Sequence, residues 1–317
     1  MLKPLRSLGQ NFLVDKNIIN KVVEAGEIKS DDVVLEIGPG RGALTFELAK
    51  RAGKVIAIEK DKGLARELEE EVKSREIKNV EIIHGDALKL LNPPTPFKKG
   101  EIKEEFLNPL TPFPKGMFLI SPLLEEEGKG DFRKTPDLIC KRNILNFPPL
   151  KRGVRGDFKV ISNPPYDIAS RLLVDLLVSS ENSPEKIVFV IQKEVGEKVL
   201  LKQGEMNLFS VLLQAFGEPK IISNISRRSF SPQPRVDSVI LSIDKKVVDF
   251  DKTDFLKIVK LGFSSKRKKL INNLSKEFSK EIVEEFFEEI GLNKGIRPQD
   301  LATTQWILLT KKIDMLK

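Results

Sequence analysis

Only one cysteine, one histidine, one tyrosine and one tryptophan occur among 317 residues. The lone Cys140 excludes an internal disulfide and any zinc site built on cysteine pairs. The lone His84 removes the usual imidazole base and any histidine-rich metal site, so no metal is expected. Its place at the end of an apolar run suits a structural role. No run of about 18 apolar residues occurs, so no membrane-spanning helix is expected. The opening Met1-Leu2-Lys3-Pro4-Leu5-Arg6 lacks the long apolar core of a secretory signal. These absences point to a reducing cytoplasm.

What is present is charge. The formal net charge is +8, which suits a polyanionic partner. With 40% apolar and 32% charged residues, the chain has the balance of an ordinary globular protein. Its length allows one large α/β domain and a smaller one.

Apolar spacing predicts a helix over Asp15–Gly26, with Asp15 as its cap. Short Val- and Ile-rich runs then recur at Val33–Ile37, Val55–Glu59, Val80–His84 and Val160–Asn163. Helical patterns, Ala43–Arg51 and Leu64–Lys73, lie between the first three. A further helix (Ile168–Ser179) and strand (Ile187–Gln192) follow, and Ile221–Ile225 with Ser238–Ile243 read as a closing pair. Strands alternating with helices imply parallel βαβ units in a doubly wound α/β sheet. From about Asp251 only helical patterns remain: Phe255–Phe263, Lys268–Phe278, Lys280–Ile290 and Pro298–Leu309. The expected division is a sheet domain over 1–246 and a small all-helical domain over 247–317.

The stretch 91–157 fits neither pattern. It holds ten of the 19 prolines, which excludes long helices and central strands. It also repeats itself: Asn92-Pro93-Pro94-Thr95-Pro96-Phe97 returns as Asn108-Pro109-Leu110-Thr111-Pro112-Phe113. It is read as an insertion looping out between two strands of the sheet.

Three consecutive strand ends carry candidate ligand contacts. Glu36-Ile37-Gly38-Pro39-Gly40-Arg41-Gly42 joins a strand to a helix, where glycines let the backbone turn and approach a ligand. Glu59 stands 21 residues beyond Gly38, where an acid can accept from ribose hydroxyls. Asp86, in Gly85-Asp86-Ala87, could accept from the exocyclic amine of a bound adenine. Each also suits an ordinary turn. Together they mark a nucleoside site, and a nicotinamide dehydrogenase is still possible at this point.

Asn163-Pro164-Pro165-Tyr166, after the fourth run, decides between them. The lone pair of adenine N6 is delocalised into the ring and poorly nucleophilic. The Asn163 amide oxygen and the Pro164 carbonyl can accept both N6 hydrogens, favouring a more tetrahedral nitrogen. Proline aims that carbonyl with its fixed φ and adds no competing N–H. Tyr166 offers a face on which a flipped base can stack, worth about 1–3 kcal/mol. A methyl group could then pass in line from a sulfonium, a reaction that needs positioning rather than a metal. Downstream, Arg227-Arg228, Arg235 and Lys266-Arg267-Lys268-Lys269 suit phosphate contacts, the last group opening a helix.

With these motifs in place, the chain resembles the ribosomal RNA small-subunit adenine dimethyltransferases, the kasugamycin-sensitivity family. The likeness rests on Gly9-Gln10-Asn11-Phe12-Leu13, Glu36–Gly42 and Gln192-Lys193-Glu194-Val195. It extends to Phe230-Ser231-Pro232-Gln233-Pro234-Arg235-Val236-Asp237-Ser238 and Phe263–Leu270. It spans nearly everything except 91–157. It implies a Rossmann-like class I methyltransferase sheet and S-adenosylmethionine (S-adenosyl-L-methionine) as cofactor. Contacts to it would come from Asn11, Leu13, Gly38, Glu59, Asp86 and Asn163. Asn163, Pro164 and Tyr166 would hold the target adenine, with Phe230 as a pocket wall. Arg227, Arg228, Arg235 and Lys266–Lys269 would meet RNA. The implied substrate is two adjacent adenines in a hairpin near the 3′ end of small-subunit RNA, within an assembling small ribosomal subunit and met by a monomer.

Two features depart from the family. It usually has Asn-Leu-Pro-Tyr where this chain has Pro164, a form more typical of DNA adenine methyltransferases, which bears on pocket width and so on mono- versus dimethylation. The insertion is the other. Competing readings are a large-subunit RNA dimethyltransferase of the macrolide-resistance type, a DNA adenine methyltransferase, and a catalytically weakened ribosome-assembly factor. The intact glycines and the Gln192–Val195 segment favour the small-subunit enzyme.

Overall fold

The computed structural model describes residues 11–91, 158–179 and 183–314. The expected insertion beyond Leu91, with Cys140, and the Gly9-Gln10 start of the first motif lie outside the described residues. A two-residue strand, β1 (Phe12–Leu13), leads into α1 (Lys16–Ala25). The Asp15 carboxylate caps that helix by accepting from the N–H groups of Asn17 and Ile18. Alternation then follows through β2 (Val33–Ile37), α2 (Ala43–Ala49), β3 (Lys54–Glu59), α3 (Lys62–Ser74), β4 (Val80–His84) and α4 (Ala87–Leu91). Beyond residue 157 come β5 (Phe158–Ser162), α5 (Tyr166–Val174) and β6 (Lys186–Gln192), with one π-helical turn extending α5 to Ser179. The remaining sheet segments are α6 (Lys193–Val199), α7 (Leu208–Phe216), β7 (Gly217–Ile225), β8 (Phe230–Ser231) and β9 (Ser238–Lys245).

Seven strands form one sheet in the order β4-β3-β2-β5-β6-β9-β7. From β4 to β6 all pairings are parallel. β9 runs antiparallel between β6 and β7, so the closing pair makes the sheet mixed. Pro219 is tolerated in β7 because that strand is an edge. Strand order reverses between β2 and β5, which opens a crevice at their carboxyl ends.

The central strands read as unbroken apolar runs because both faces are covered. Val34, Val55, Ile161, Val188 and Ile240 pack with Ile19 and Val23 of α1 and Leu44 and Leu48 of α2. Their neighbours Leu35, Ile56, Val160, Phe189 and Leu241 pack on the opposite face with Leu172 of α5 and Leu212 of α7.

The C-terminal helices are α8 (Lys252–Phe263), α9 (Leu270–Leu274), α10 (Lys280–Glu289) and α11 (Thr303–Asp314). They share one hydrophobic cluster with the second sheet face. Phe216, Phe250 and Phe255 bridge the two, with ring centroids 4.7–5.7 Å apart. The expected helix at Lys268–Phe278 is cut to Leu270–Leu274, so Lys266–Lys269 occupy the turn before it rather than its first turn. Asn273 explains this. Its buried amide donates to the carbonyls of Gly262 (2.6 Å) and Ser265 (3.0 Å), closing the end of α8 and fixing the turn. Pro298–Asp300 is a separate 3₁₀ turn, and the last helix starts at Thr303.

Gly262 lies under the fully buried Trp306, whose ring would stand 2.3 Å from an added Cβ. Gly262→Ala is therefore expected to destabilise the protein by about 1–3 kcal/mol despite the better helix propensity of alanine. Urea unfolding should show a lower midpoint at unchanged slope, and an unchanged or higher midpoint would contradict this packing.

Candidate active site

The crevice between β2 and β5 opens into a cavity of about 310 Å³. Asn11, Leu13, Gly38, Glu59, Asp86 and Asn163 all line it, together with Pro164, Pro165 and Tyr166. The elements that bring them together are strand ends and the loops that leave them.

The turn after β2 carries positive φ at Gly38 (+70°), Gly40 (+56°) and Gly42 (+77°), a region side chains resist. Close packing reinforces the requirement at all three, a Cβ on Gly42 standing 2.4 Å from Leu68 Cδ1. A Cβ on Gly38 would meet the Pro165 ring at 3.2 Å, and one on Gly40 would meet the Phe12 ring at 2.7 Å. The Gly38 N–H donates to the Ile58 carbonyl (2.8 Å), and the Gly40 N–H to Glu59 Oε2 (3.0 Å), tying the turn to β3. Glu59 Oε1 accepts from the Asp61 N–H (2.8 Å). Burial holds the Glu59 carboxyl above its ordinary value, and these backbone donors offset part of the rise. Each of its oxygens keeps a further lone pair for hydroxyl donors.

Asp86 follows β4. Its Oδ1 accepts from the Leu88 N–H at 3.0 Å, and its Oδ2 pairs with Lys60 Nζ at 3.0 Å. Lys60 also lines the cavity, a residue that sequence reasoning passed over. Phe12, although part of the Gly9–Leu13 motif, has no role assigned from sequence. It pads the glycine turn and lies under the Arg41 guanidinium, 5.1 Å from its ring centre. Neither residue has a local signal, because Lys60 is one of many charged residues and a two-residue strand has no periodicity.

The Asn163–Tyr166 corner follows β5, facing the glycine turn. The Ser162 hydroxyl accepts from the Ile37 N–H (2.7 Å), locking the two strand ends together. Asn163 Nδ2 donates to the Asn11 backbone carbonyl at 3.0 Å. That bond fixes the amide orientation and leaves Oδ1 as its acceptor end. Tyr166 opens α5, and its hydroxyl shares a 2.7 Å hydrogen bond with Ser238 Oγ. Burial raises its pKa, and the bond to Ser238 counteracts part of that rise.

Phe230 does not line this cavity. It is buried in the core opposite Leu13, where β8 pairs with β1, because the short antiparallel ladder turns its side chain inward. The basic residues also stand away from the cavity lining. Arg228, Arg235 and Lys266–Lys269 are exposed. Arg227 is engaged within the chain: its guanidinium bonds Asp237 Oδ1 (3.2 Å) and the Arg235 carbonyl (2.9 Å).

Glu36 is the unexpected member. It is 1% exposed, lines the cavity, and its Oε2 has no hydrogen-bond partner. Burial pushes its pKa up to about 8, the Thr45 hydroxyl beside it offsetting part of the rise and the charge of Glu59 adding to it.

A sequence model described as ribosomal RNA adenine dimethylase matches residues 1–314. The chain belongs to that family. Its fold is the Rossmann-like class I methyltransferase fold. As a member, it is an enzyme that transfers methyl groups from S-adenosylmethionine to adenine of ribosomal RNA. It is 35% identical to the ribosomal RNA small subunit methyltransferase A of Natranaerobius thermophilus, over 98% of this chain and 92% of that one. The protein of that name from Moorella thermoacetica is 33% identical over 98% and 93%. Among solved structures, a dimethyladenosine transferase from Plasmodium falciparum superposes with a TM-score of 0.68 at 22% identity, over 96% of this chain and 98% of that one. The 23S rRNA methyltransferase ErmE gives 0.63 at 23%, over 96% and 100%. Both share the fold.

The raised pKa of Glu36 has a thermodynamic consequence. An acid whose folded pKa of about 8 exceeds the ordinary 4.5 stabilises the fold most below 4.5, and that contribution is lost as pH rises through 8. The Tm advantage of Glu36→Gln over the parent should therefore widen from about pH 5 to about pH 9. A gap that stays constant across this interval would show that Glu36 ionises as freely in the fold as outside it.

Proposed function

We propose that this enzyme dimethylates N6 of two adjacent adenines in a hairpin near the 3′ end of small-subunit ribosomal RNA. It would act as a monomer, in the cytoplasm, on an assembling small subunit. The names of the relatives support the small subunit, and a hairpin loop suits a site that needs an unstacked base. Among the described residues no helix is long and apolar enough to cross a membrane.

The observation that carries the reading is the single cavity shared by the glycine turn and the Asn163–Tyr166 corner. Its volume of about 310 Å³ falls at the lower end of the usual range for ligand sites, about 300–1,000 Å³. The residues fit the cofactor. Bare glycine backbone allows a close approach, and the orphaned Glu36 oxygen offers an acceptor where a cationic ligand would sit. Glu59 would take the ribose hydroxyls and Asp86 the amine of the cofactor's adenine, displacing Lys60. Asn11, Leu13 and Gly38 would close around the remainder. When bound, S-adenosylmethionine supplies an electrophilic methyl group on a sulfonium.

The protein supplies geometry. Asn163 Oδ1, aimed by the Asn11 carbonyl, and the Pro164 carbonyl accept the two N6 hydrogens and localise the nitrogen lone pair. Tyr166 stacks on the extruded base, offsetting part of its unstacking by about 1–3 kcal/mol. Arg228, Arg235 and Lys266–Lys269, exposed on the sheet domain and on the helical segment beyond residue 246, hold phosphates and set the register. Arg227 is expected to brace its loop through Asp237 while it adds to the positive potential. Pro164 retains the carbonyl that the mechanism uses.

Asn163→Ala should lower methyl transfer by at least about 100-fold, since it removes a group acting on the reacting nitrogen. RNA affinity should stay within about twofold, because phosphate contacts dominate it. Labelled cofactor offered with unmethylated small subunits, large subunits or DNA tests the substrate. Uptake by small subunits, ending at two methyl groups per adenine, is expected. Uptake by large subunits or DNA alone, or transfer at the parental rate by Asn163→Ala, contradicts the reading.

A further inference from the structure

The hydrogen bond between the Tyr166 and Ser238 hydroxyls, 2.7 Å long, ties together residues 72 positions apart. Tyr166 leaves the end of β5, whereas Ser238 begins β9, and β6 lies between those strands. The phenol therefore reaches across the carboxyl end of β6 to find its partner. Ser238 is fully buried and stands in register with Gln192 of β6 on one side and Ile225 of β7 on the other.

The residue before it is pinned as well. The Asp237 carbonyl accepts from the Lys193 N–H (3.0 Å), and its carboxylate accepts from the Arg227 N–H (3.0 Å) and guanidinium (3.2 Å). An ordinary surface tyrosine has a choice of χ1 rotamers. Here the hydroxyl lies on the χ2 axis, so the bond leaves ring flips free but fixes χ1 and the direction of the ring axis. A stacking platform needs that direction fixed before the base arrives, because ordering a loose ring would cost binding free energy.

We propose that Ser238 is a positioning residue for methyl transfer, which sets the direction of the Tyr166 ring axis beside the target adenine. The proposal rests on the reading of Tyr166 as the stacking face. Ser238 itself touches no substrate. It acts through the phenol, as the rigid end of a strut running from β9 to the adenine corner.

Four variants test this: Ser238→Ala, Tyr166→Phe, both together, and Tyr166→Ala. Tyr166→Phe keeps the ring and loses the strut, so it stands in if Ser238→Ala folds poorly. Each single change is expected to lower kcat/KM for RNA by about tenfold, because ordering the freed ring then consumes part of the binding free energy. Affinity for S-adenosylhomocysteine, by calorimetry, should remain at the parental value. The double variant should be no worse than either single one, since both remove the same bond.

Tyrosinate absorbance adds a readout that a general packing defect would not move. Tyr166 is the chain's only tyrosine, so the titration reports this residue alone. The Ser238 bond favours the phenolate, so Ser238→Ala should shift the titration to higher pH. Parental kcat/KM in both single variants, additive losses in the double one, or an unshifted titration would overturn the proposal. If those variants keep parental activity and only Tyr166→Ala loses transfer, the strut falls and the stacking role stands. Parental transfer by Tyr166→Ala would remove the stacking role and the strut together.

Discussion

The close approach of two loops at the reversal of strand order is the constraint on which the site depends. The turn after β2 must pass within van der Waals contact of Pro165, which follows β5, and of the Phe12 ring. Only glycine meets both demands there, a positive φ and no Cβ. The Ile37–Ser162 hydrogen bond holds the two strand ends at that spacing. A side chain on Gly38 would press the cofactor turn away from Pro165 and the adenine corner, and one on Gly40 would press it away from Phe12. Transfer between two bound nucleosides depends on the distance between their reacting atoms, and an ångström lost here is costly.

Around that contact, parts far apart in sequence act as supports. Asn11 aims the Asn163 amide across 152 positions, and Ser238 steadies Tyr166 from the antiparallel strand. The N-terminal segment is in turn clipped to the loop before β9: Val14 N–H donates to the Ser229 carbonyl at 3.0 Å, and Ser229 Oγ to Asp15 at 3.1 Å. Phe230 belongs to this support, packing behind Leu13 rather than facing the ligand. Most residues near the chemistry are thus engaged in orienting one another. Glu36 is the exception, a buried acid with a free acceptor.

The parallel strands were legible because burial on both faces turns them into continuous Val- and Ile-rich runs, and Gly38, Glu59, Asp86 and Asn163 were legible because each ends one. What failed to show has physical reasons. α7 is apolar on nearly every side, so it carries no amphipathic period. α6 is seven residues long and contains Gly196, and β1 and β8 are two residues each. The antiparallel sense of β9 is set by its partners and not by its own residues. The basic quartet was drawn into a helix because its own residues favour one, whereas a single buried amide, Asn273, closes the turn there. The supporting bonds of Asn163 and Tyr166 are tertiary, and no local pattern announces them.

In the proposed complex, one cavity seats the cofactor with its sulfur facing the adenine corner. A crystal structure with bound S-adenosylhomocysteine tests it most directly. Ribose density is expected at Glu59 and adenine density beside Asp86, with the sulfur turned toward Asn163 and Tyr166. Cofactor bound elsewhere, or seated in the cavity with its sulfur turned away from Asn163, would contradict it.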